Sequence, residues 1–283
     1  MIRLALGDCQ ATVLDAGRLW LDGGAMFGVV PRVLWEKERA PDAENRIELA
    51  MNVLLVENDG RRILIDTGAG TKAADKARRM YRLEPLSPIE ILAPAGLAPE
   101  QIDIVVNTHL HFDHAGGNTV RGPSGEPRAA FPNAEYVVQA GEVDAAARPN
   151  ERTRASYFAE DFDPLRREGR LRLVEGDLAL TPHLRLTLAP GHTPHMQIPI
   201  LATRERTLAF LADLVPTASH VPYPFIMAYD LDPLATLATK KRLLPVAARE
   251  EWILVFEHDA RIPVGTLAEE GGRLRARPFF VEA

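Results

Sequence analysis

Apolar positions along the chain fall mainly into short runs bounded by Gly, Pro, Asn or Asp, which is the pattern of strands. IRLAL, ATVLDAG and RLWLD within residues 1–22 read as short strands. MNVLLVENDGRRILIDTG (51–68) places two apolar runs around Asn58-Asp59-Gly60-Arg61, a hairpin signal, and the second run ends in Asp66-Thr67-Gly68. IDIVV (102–106) is continuously apolar, as expected of a strand covered on both faces. AEYVVQ, LRLVEG, LRLTLAPGHTP, QIPILAT, TLAFLADLV and EWILVFEHD read as further strands.

Helical spacing is expected over 71–81, over SPIEILAPAG (87–96) with its Ser-Pro start, over GEVDAAARPN until the proline, and over PLATLATKKRLLPVAA (233–248). The segment 23–46 mixes apolar residues with Gly and Pro without a clean period, and reads as a surface arm or loop reaching to about 48. Residues 150–169 are charged, contain Phe158 and Phe162, and read as a partly helical insert. No repeat, low-complexity tract or linker interrupts the pattern, so the expectation is one domain over 1–283.

Composition narrows the function classes. Of 283 residues, 46% are hydrophobic and 25% charged, ordinary for a globular protein large enough to bury a core. The net charge is −6 and no block of Lys or Arg stands out, which argues against a nucleic-acid partner. No run approaches the ~18 apolar residues of a membrane helix. The start MIRLALGDCQATVLD lacks the apolar core and cleavage site of a signal peptide, so a cytoplasmic location is expected. The single cysteine, Cys9, fits a reducing compartment and reads as a small buried apolar residue.

The chemistry concentrates in NTHLHFDHAGG (107–117), directly after IDIVV. His109, His111, Asp113 and His114 form the pattern H-x-H-x-D-H. Alternate residues of extended chain point the same way, so His109 and His111 can grip one ion. Asp113 and His114, where the chain turns toward Gly116 and Gly117, can point to a second. Imidazole with carboxylate suits zinc, and also manganese, iron, cobalt or nickel. Further donors stand at the ends of apolar strands, where open α/β architectures carry their chemistry: His192, Asp213 and His258. Together they make seven ligands, the number that a two-metal site needs.

The run of Asp66 in LIDTG, the cluster at 109–114, His192, Asp213 and His258 resembles the metallo-β-lactamase superfamily over nearly the whole chain. The resemblance implies an α+β fold, a four-layer αβ/βα sandwich with two divalent ions at one edge. It implies that His109, His111 and His192 hold the first ion, that Asp113, His114 and His258 hold the second, that Asp213 bridges both, and that Asp66 orients a ligand or the cluster's backbone. The presence of Asp213 argues against a true β-lactamase. The 25 residues after His258 leave no room for a glutathione-binding domain as in glyoxalase II. His111 argues against the flavodiiron branch.

GGAMFGVVPRVLWEK, LIDTGAG, THLHFDHAGG and FEHD most resemble the quorum-quenching N-acyl homoserine lactonase and methyl parathion hydrolase branch. That branch implies a small-molecule lactone or ester substrate and a homodimer through the arm, and the absence of a long apolar run gives the expectation of no membrane partner. Several lactonases of this branch carry a tyrosine three residues after the bridging aspartate; here Pro216 stands there, and His220 or Tyr223 is the candidate substitute. Asp113 is the candidate proton carrier, with a role as ligand alone as the alternative. Met26, Phe27, Val29 and Trp35 of the arm, with Tyr223, Phe225 and Met227, are the candidate apolar wall for an acyl chain. Two alternatives stay open: a phosphotriester hydrolase using the same ligands, and a metal-binding redox or sensing protein without hydrolysis.

Overall fold

In the computed structural model, which describes residues 1–279, strands and helices alternate from the first residues onward. The first sheet holds β1 (Ile2–Leu6), β2 (Cys9–Asp22), β3 (Arg46–Asn58), β4 (Arg61–Ile65), β5 (Glu84–Pro85), β6 (Ile104–Val106), β9 (Glu135–Gln139) and β10 (Leu171–Val174). A separate hairpin pairs β7 (Thr119–Arg121) with β8 (Pro127–Ala129). The second sheet runs in chain order through β11 (Leu178–Ala179), β12 (Leu184–Leu188), β13 (Gln197–Ala202), β14 (Thr207–Phe210), β15 (Ile253–Val255), β16 (Val264–Glu270) and β17 (Arg273–Pro278). The β3–β4 turn uses Asp59 and Gly60, both with positive φ (51° and 72°), as a tight two-residue hairpin requires.

Side-chain alternation builds the layers. In β3, Leu54 and Val56 join the core between the sheets, while Val53 and Leu55 face the other way. The same split separates Ile63 and Ile65 from Leu64, and Ile104 and Val106 from Val105. The outer face of the first sheet is covered by α1 (Gly23–Phe27), α2 (Arg32–Trp35), α4 (Pro88–Leu92) and α7 (Asp163–Arg167); α3 (Asp75–Met80), α5 (Phe112–Ala115) and α6 (Ala140–Ala147) complete the helices of this half of the chain. The long α8 (Pro233–Arg249) covers the second sheet with Leu243, Leu244 and Ala247. The result is the expected four-layer αβ/βα sandwich. Among the described residues no helix is long and apolar enough to cross a membrane.

Four local readings need correction. The segment read as a surface arm folds into α1 and α2, and Met26, Phe27 and Trp35 are at most 1% exposed. Phe27 stacks on Trp35 (5.4 Å between centroids), so burial of aromatic surface replaces a regular period as the organising force. The two strands expected over 9–22 are one strand with a register shift between Asp15 and Arg18. Helix starts only at Asp75, because Lys72 is drawn inward to the carbonyls of Gly116 and Thr119 and to Asp161, keeping 71–74 out of helix. The hairpin β16–β17 was not anticipated; its signal was Gly271-Gly272, both with positive φ. Cys9 is buried, with its Sγ 2.9 Å from Asn58 Nδ2.

Candidate metal centre

Strand ends converge on one edge of the sandwich. Asp66 follows β4, the 109–114 cluster follows β6, His192 follows β12, Asp213 follows β14 and His258 follows β15. His109, His111, His192 and Asp213 form one group of buried donors, and Asp113, His114 and His258 a second; within each group the donor atoms lie within 4.8 Å of one another. Asp213 stands between them. Its Oδ2 is 2.9 Å from His192 Nε2 and 3.5 Å from His114 Nε2, and its Oδ1 is 3.1 Å from His258 Nε2. Asp113 Oδ2 is 3.7 Å from His258 Nε2 and 3.9 Å from His114 Nε2.

The backbone reaches this geometry through close packing of two loops. Thr67 N–H donates to the His114 carbonyl at 2.8 Å, and Gly117 N–H donates to the Gly68 carbonyl at 2.9 Å. A Cβ on Gly116 would sit 2.2 Å from the Ala69 carbonyl oxygen, so only glycine allows the loops to meet here. Two non-glycine residues beside the donors have left-handed backbone, Asp66 (φ 55°) and Ala212 (φ 44°), an arrangement that packing must hold in place.

Three of the imidazoles are held from behind. Asp66 accepts from Thr108 N–H at 2.8 Å and Thr108 Oγ1 at 2.6 Å, and its Oδ2 lies 3.1 Å from His114 Nδ1. Glu257 Oε2 lies 3.0 Å from the same Nδ1. His192 Nδ1 meets Asp230 Oδ1 at 3.0 Å, and His258 Nδ1 donates to the Ala50 carbonyl at 2.8 Å. These contacts turn the remaining ring nitrogens toward the centre, as carboxylate-backed imidazoles do in metal sites.

The donor set fits divalent ions. Buried His109 Nε2 and Asp213 Oδ1 make no hydrogen bond. Pairs of imidazole nitrogens face each other, His192 Nε2 with His111 Nδ1 at 2.9 Å and His258 Nε2 with His114 Nε2 at 3.2 Å. Such contacts place lone pairs or protons against each other unless a cation or a shared proton lies between. Burial, reinforced by neighbouring imidazoles, holds His109 and His111 well below the usual histidine range. Burial opposes charge on His114 and His258, but the carboxylates outweigh it: Glu257, Asp213 and Asp113 push His114 well up, and Asp213 and Glu257 push His258 to about 9. Burial raises Glu257 itself to about 8. The site is a nest of acids and imidazoles that a dication would balance.

A cleft of about 140 Å³ opens over this centre, lined by His111, Asp113, His192, Asp213 and His258, with Tyr81 and Tyr229. It shares Arg152, Met227, Ala228 and Leu231 with a larger, mainly apolar groove of about 1480 Å³. Of the expected wall residues, Met26 and Met227 line the cleft, and Val29, Tyr223, Phe225 and Met227 line the groove. Phe27 and Trp35 line neither; both are core residues, because the arm folds inward. His220 is also fully buried, with Nε2 donating to the Met26 carbonyl and Nδ1 accepting from Thr217 Oγ1, each at 2.8 Å, so no ring nitrogen remains to meet a substrate. Tyr223 lies on the groove, away from the ligand-lined cleft.

Sequence reading missed Asp230, Glu257 and Glu142, which stand behind the ligands. Glu257 had a local signal, its place directly before His258 in FEHD. Asp230 and Glu142 had none.

Comparison with known proteins agrees with this geometry. Residues 47–258 match the family described as "Metallo-beta-lactamase superfamily". An N-acyl homoserine lactonase of Bacillus cereus is 28% identical over 231 residues, covering 76% of this chain and 83% of that one. A probable metal-dependent hydrolase from Staphylococcus aureus superposes with a TM-score of 0.88 at 29% identity, covering 98% of this chain and all of that one. An N-acyl homoserine lactone hydrolase with N-hexanoyl-L-homoserine at its catalytic metal centre superposes with a TM-score of 0.66 at 26% identity, covering 88% of this chain and 93% of that one.

Proposed function

The chain belongs to the metallo-beta-lactamase superfamily and is a hydrolase of that fold, and from that premise we propose that it opens lactone rings, with N-acyl homoserine lactones as substrates. One observation carries the reading: the cleft, lined by five of the seven donors, adjoins a large apolar groove and shares Arg152, Met227, Ala228 and Leu231 with it. A lactone at the donors can thus extend an acyl chain along apolar surface. The relatives named as lactonases support it.

In this reading His109, His111 and His192 hold one ion and Asp113, His114 and His258 the other, with Asp213 shared; zinc is the proposed metal. Bound there, two divalent ions supply Lewis acidity, acidifying water and polarising a carbonyl. The chain's own residues do the rest. Asp113 lies on the cleft wall, where its carboxylate can take a proton from the attacking water and return it to the leaving alkoxide. Tyr81 and Tyr229 share that wall and can donate to the substrate carbonyl, the part first assigned to His220 or Tyr223. Met227 and Phe225 exclude water around the acyl chain. The whole of 1–283 acts as one hydrolase domain, and the homodimer through the arm belongs to the same proposal, tested by light scattering in solution.

The test is kcat/KM of the metal-loaded protein on a long-chain N-acyl homoserine lactone beside a methyl phosphotriester. The expected lactone value exceeds ~10⁴ M⁻¹s⁻¹ and lies at least about a hundredfold above the phosphotriester value, a gap of roughly 2.7 kcal/mol in transition-state binding. A faster phosphotriester overturns the substrate; hydrolysis of neither overturns the reading.

A further inference from the structure

Glu142, on α6, is fully buried and belongs to neither donor group. Its Oε1 accepts from Leu110 N–H at 3.2 Å and from Tyr157 O–H at 2.8 Å, and its Oε2 accepts from Thr193 O–H at 2.7 Å. Each partner sits beside a donor of the first group. Leu110 is the residue between His109 and His111. Thr193 follows His192. The Tyr157 ring packs over the His111 ring, 4.7 Å between centroids. One carboxylate therefore ties together the two segments that carry the imidazoles of the first group, after β6 and after β12, and the 150–169 insert whose Tyr157 packs on His111.

Its charge points the same way. Among the described residues, no Lys, Arg or His forms an ion pair with Glu142. A buried carboxylate without a cation is costly even when hydrogen-bonded. A dication held by the adjacent imidazoles would supply the missing positive charge.

We infer that Glu142 is the positioning residue of the first donor group: it sets the spacing of His109, His111 and His192 through Leu110, Tyr157 and Thr193, and so tunes that group's affinity for a divalent ion without touching it. The inference rests on the two-metal reading of the site, not on the substrate. It predicts an effect on one group and not the other. Glu142→Gln keeps the size but removes the charge and turns one acceptor into a donor. Tyr157→Phe and Thr193→Val each remove one tie while keeping the shape.

The experiment is cobalt(II) titration of the metal-free protein, followed by competition with a chromophoric chelator and by the visible cobalt spectrum. It is run in the wild-type protein and on a His258→Ala background, which cripples the second group. On that background Glu142→Gln is expected to weaken the remaining site by about 10- to 100-fold and alter its spectrum, with smaller losses for Tyr157→Phe and Thr193→Val. On a His109→Ala background, which cripples the first group, Glu142→Gln is expected to leave the surviving affinity unchanged. Equal weakening on both backgrounds, tracking a lower Tm of the metal-free protein, identifies a merely structural residue and overturns the inference. Unchanged affinity on both backgrounds also overturns it. A wild-type protein that binds no cobalt overturns the two-metal reading itself.

Discussion

The two donor groups differ in what stands behind them. Behind the second group, two buried carboxylates, Asp66 and Glu257, both face His114 Nδ1, and His258 leans on a backbone carbonyl. Behind the first group only His192 meets a carboxylate directly, Asp230; His109 meets the Thr108 hydroxyl, and His111 packs under Tyr157. The second group is thus held electrostatically, the first largely by packing and by the indirect ties of Glu142. Direct carboxylate backing raises the basicity of an imidazole and its pull on a cation. The expectation is that a chelator strips the first group before the second, and stepwise dialysis with metal analysis checks it.

Variants sharpen or break this contrast. The largest effect belongs to Asp213, which lies between the two groups and is proposed to be shared by both. Asp213→Ala should lower kcat/KM by about 10³-fold, since a bound metal supplies several kcal/mol at 1.36 kcal/mol per factor of ten, and should reduce metal stoichiometry. Full stoichiometry in that variant would dissolve the idea of a shared donor. Next, Glu257→Gln should weaken the second group by about 10- to 100-fold and spare the first. Equal losses in both would show that the backing carboxylates act on the site as a whole.

Gly116→Ala comes third. Its Cβ would overlap the Ala69 carbonyl, so a destabilisation of about 1–3 kcal/mol is expected in thermal unfolding. Loss of metal should be greater at the second group, whose Asp113 and His114 lie in that turn. The smallest effect concerns the loop that lines the apolar groove. Lys240 donates to the carbonyls of His220, Pro222 and Phe225, holding the loop that lines the apolar groove, and burial pushes it down to about 7 from 10.5 while Asp230 pulls it up. Between those values the unfolded chain holds more protons than the folded one, so this group makes stability rise with pH across that window. Lys240→Met should flatten that rise relative to the wild type; parallel curves would show that the lysine stays charged throughout.

Legibility in the sequence followed the range of the interactions. The strands were readable because alternation and apolar runs are local, as IDIVV and EWILVFEHD show. The donors were readable because they crowd into 109–114 or stand at the ends of such runs. The arm was not readable: Phe27 is buried by stacking on Trp35 and on His220, with no period to announce it. Arg39, later in the same segment, pairs with buried Asp259 beside His258, a contact across 220 positions. His220 looked like a catalytic candidate because a histidine near a metal motif invites that reading, yet its two nitrogens are spent on Thr217 and Met26.

By itself, then, the sequence determined the strand pattern and the family to which the chain belongs, and it named seven candidate donors, since each rests on residue types at short, regular spacing. Tertiary structure alone decided which carboxylates stand behind the donors, that Phe27 and Trp35 of the arm are core while Met26 and Val29 line the cleft and the groove, and that cleft and groove share part of their lining. Those depend on contacts such as Leu110 with Glu142, 32 positions apart, and His192 with Asp230, 38 apart. A buried hydrogen bond between distant segments leaves no periodic trace in either of them, because its partners are chosen by how the layers pack.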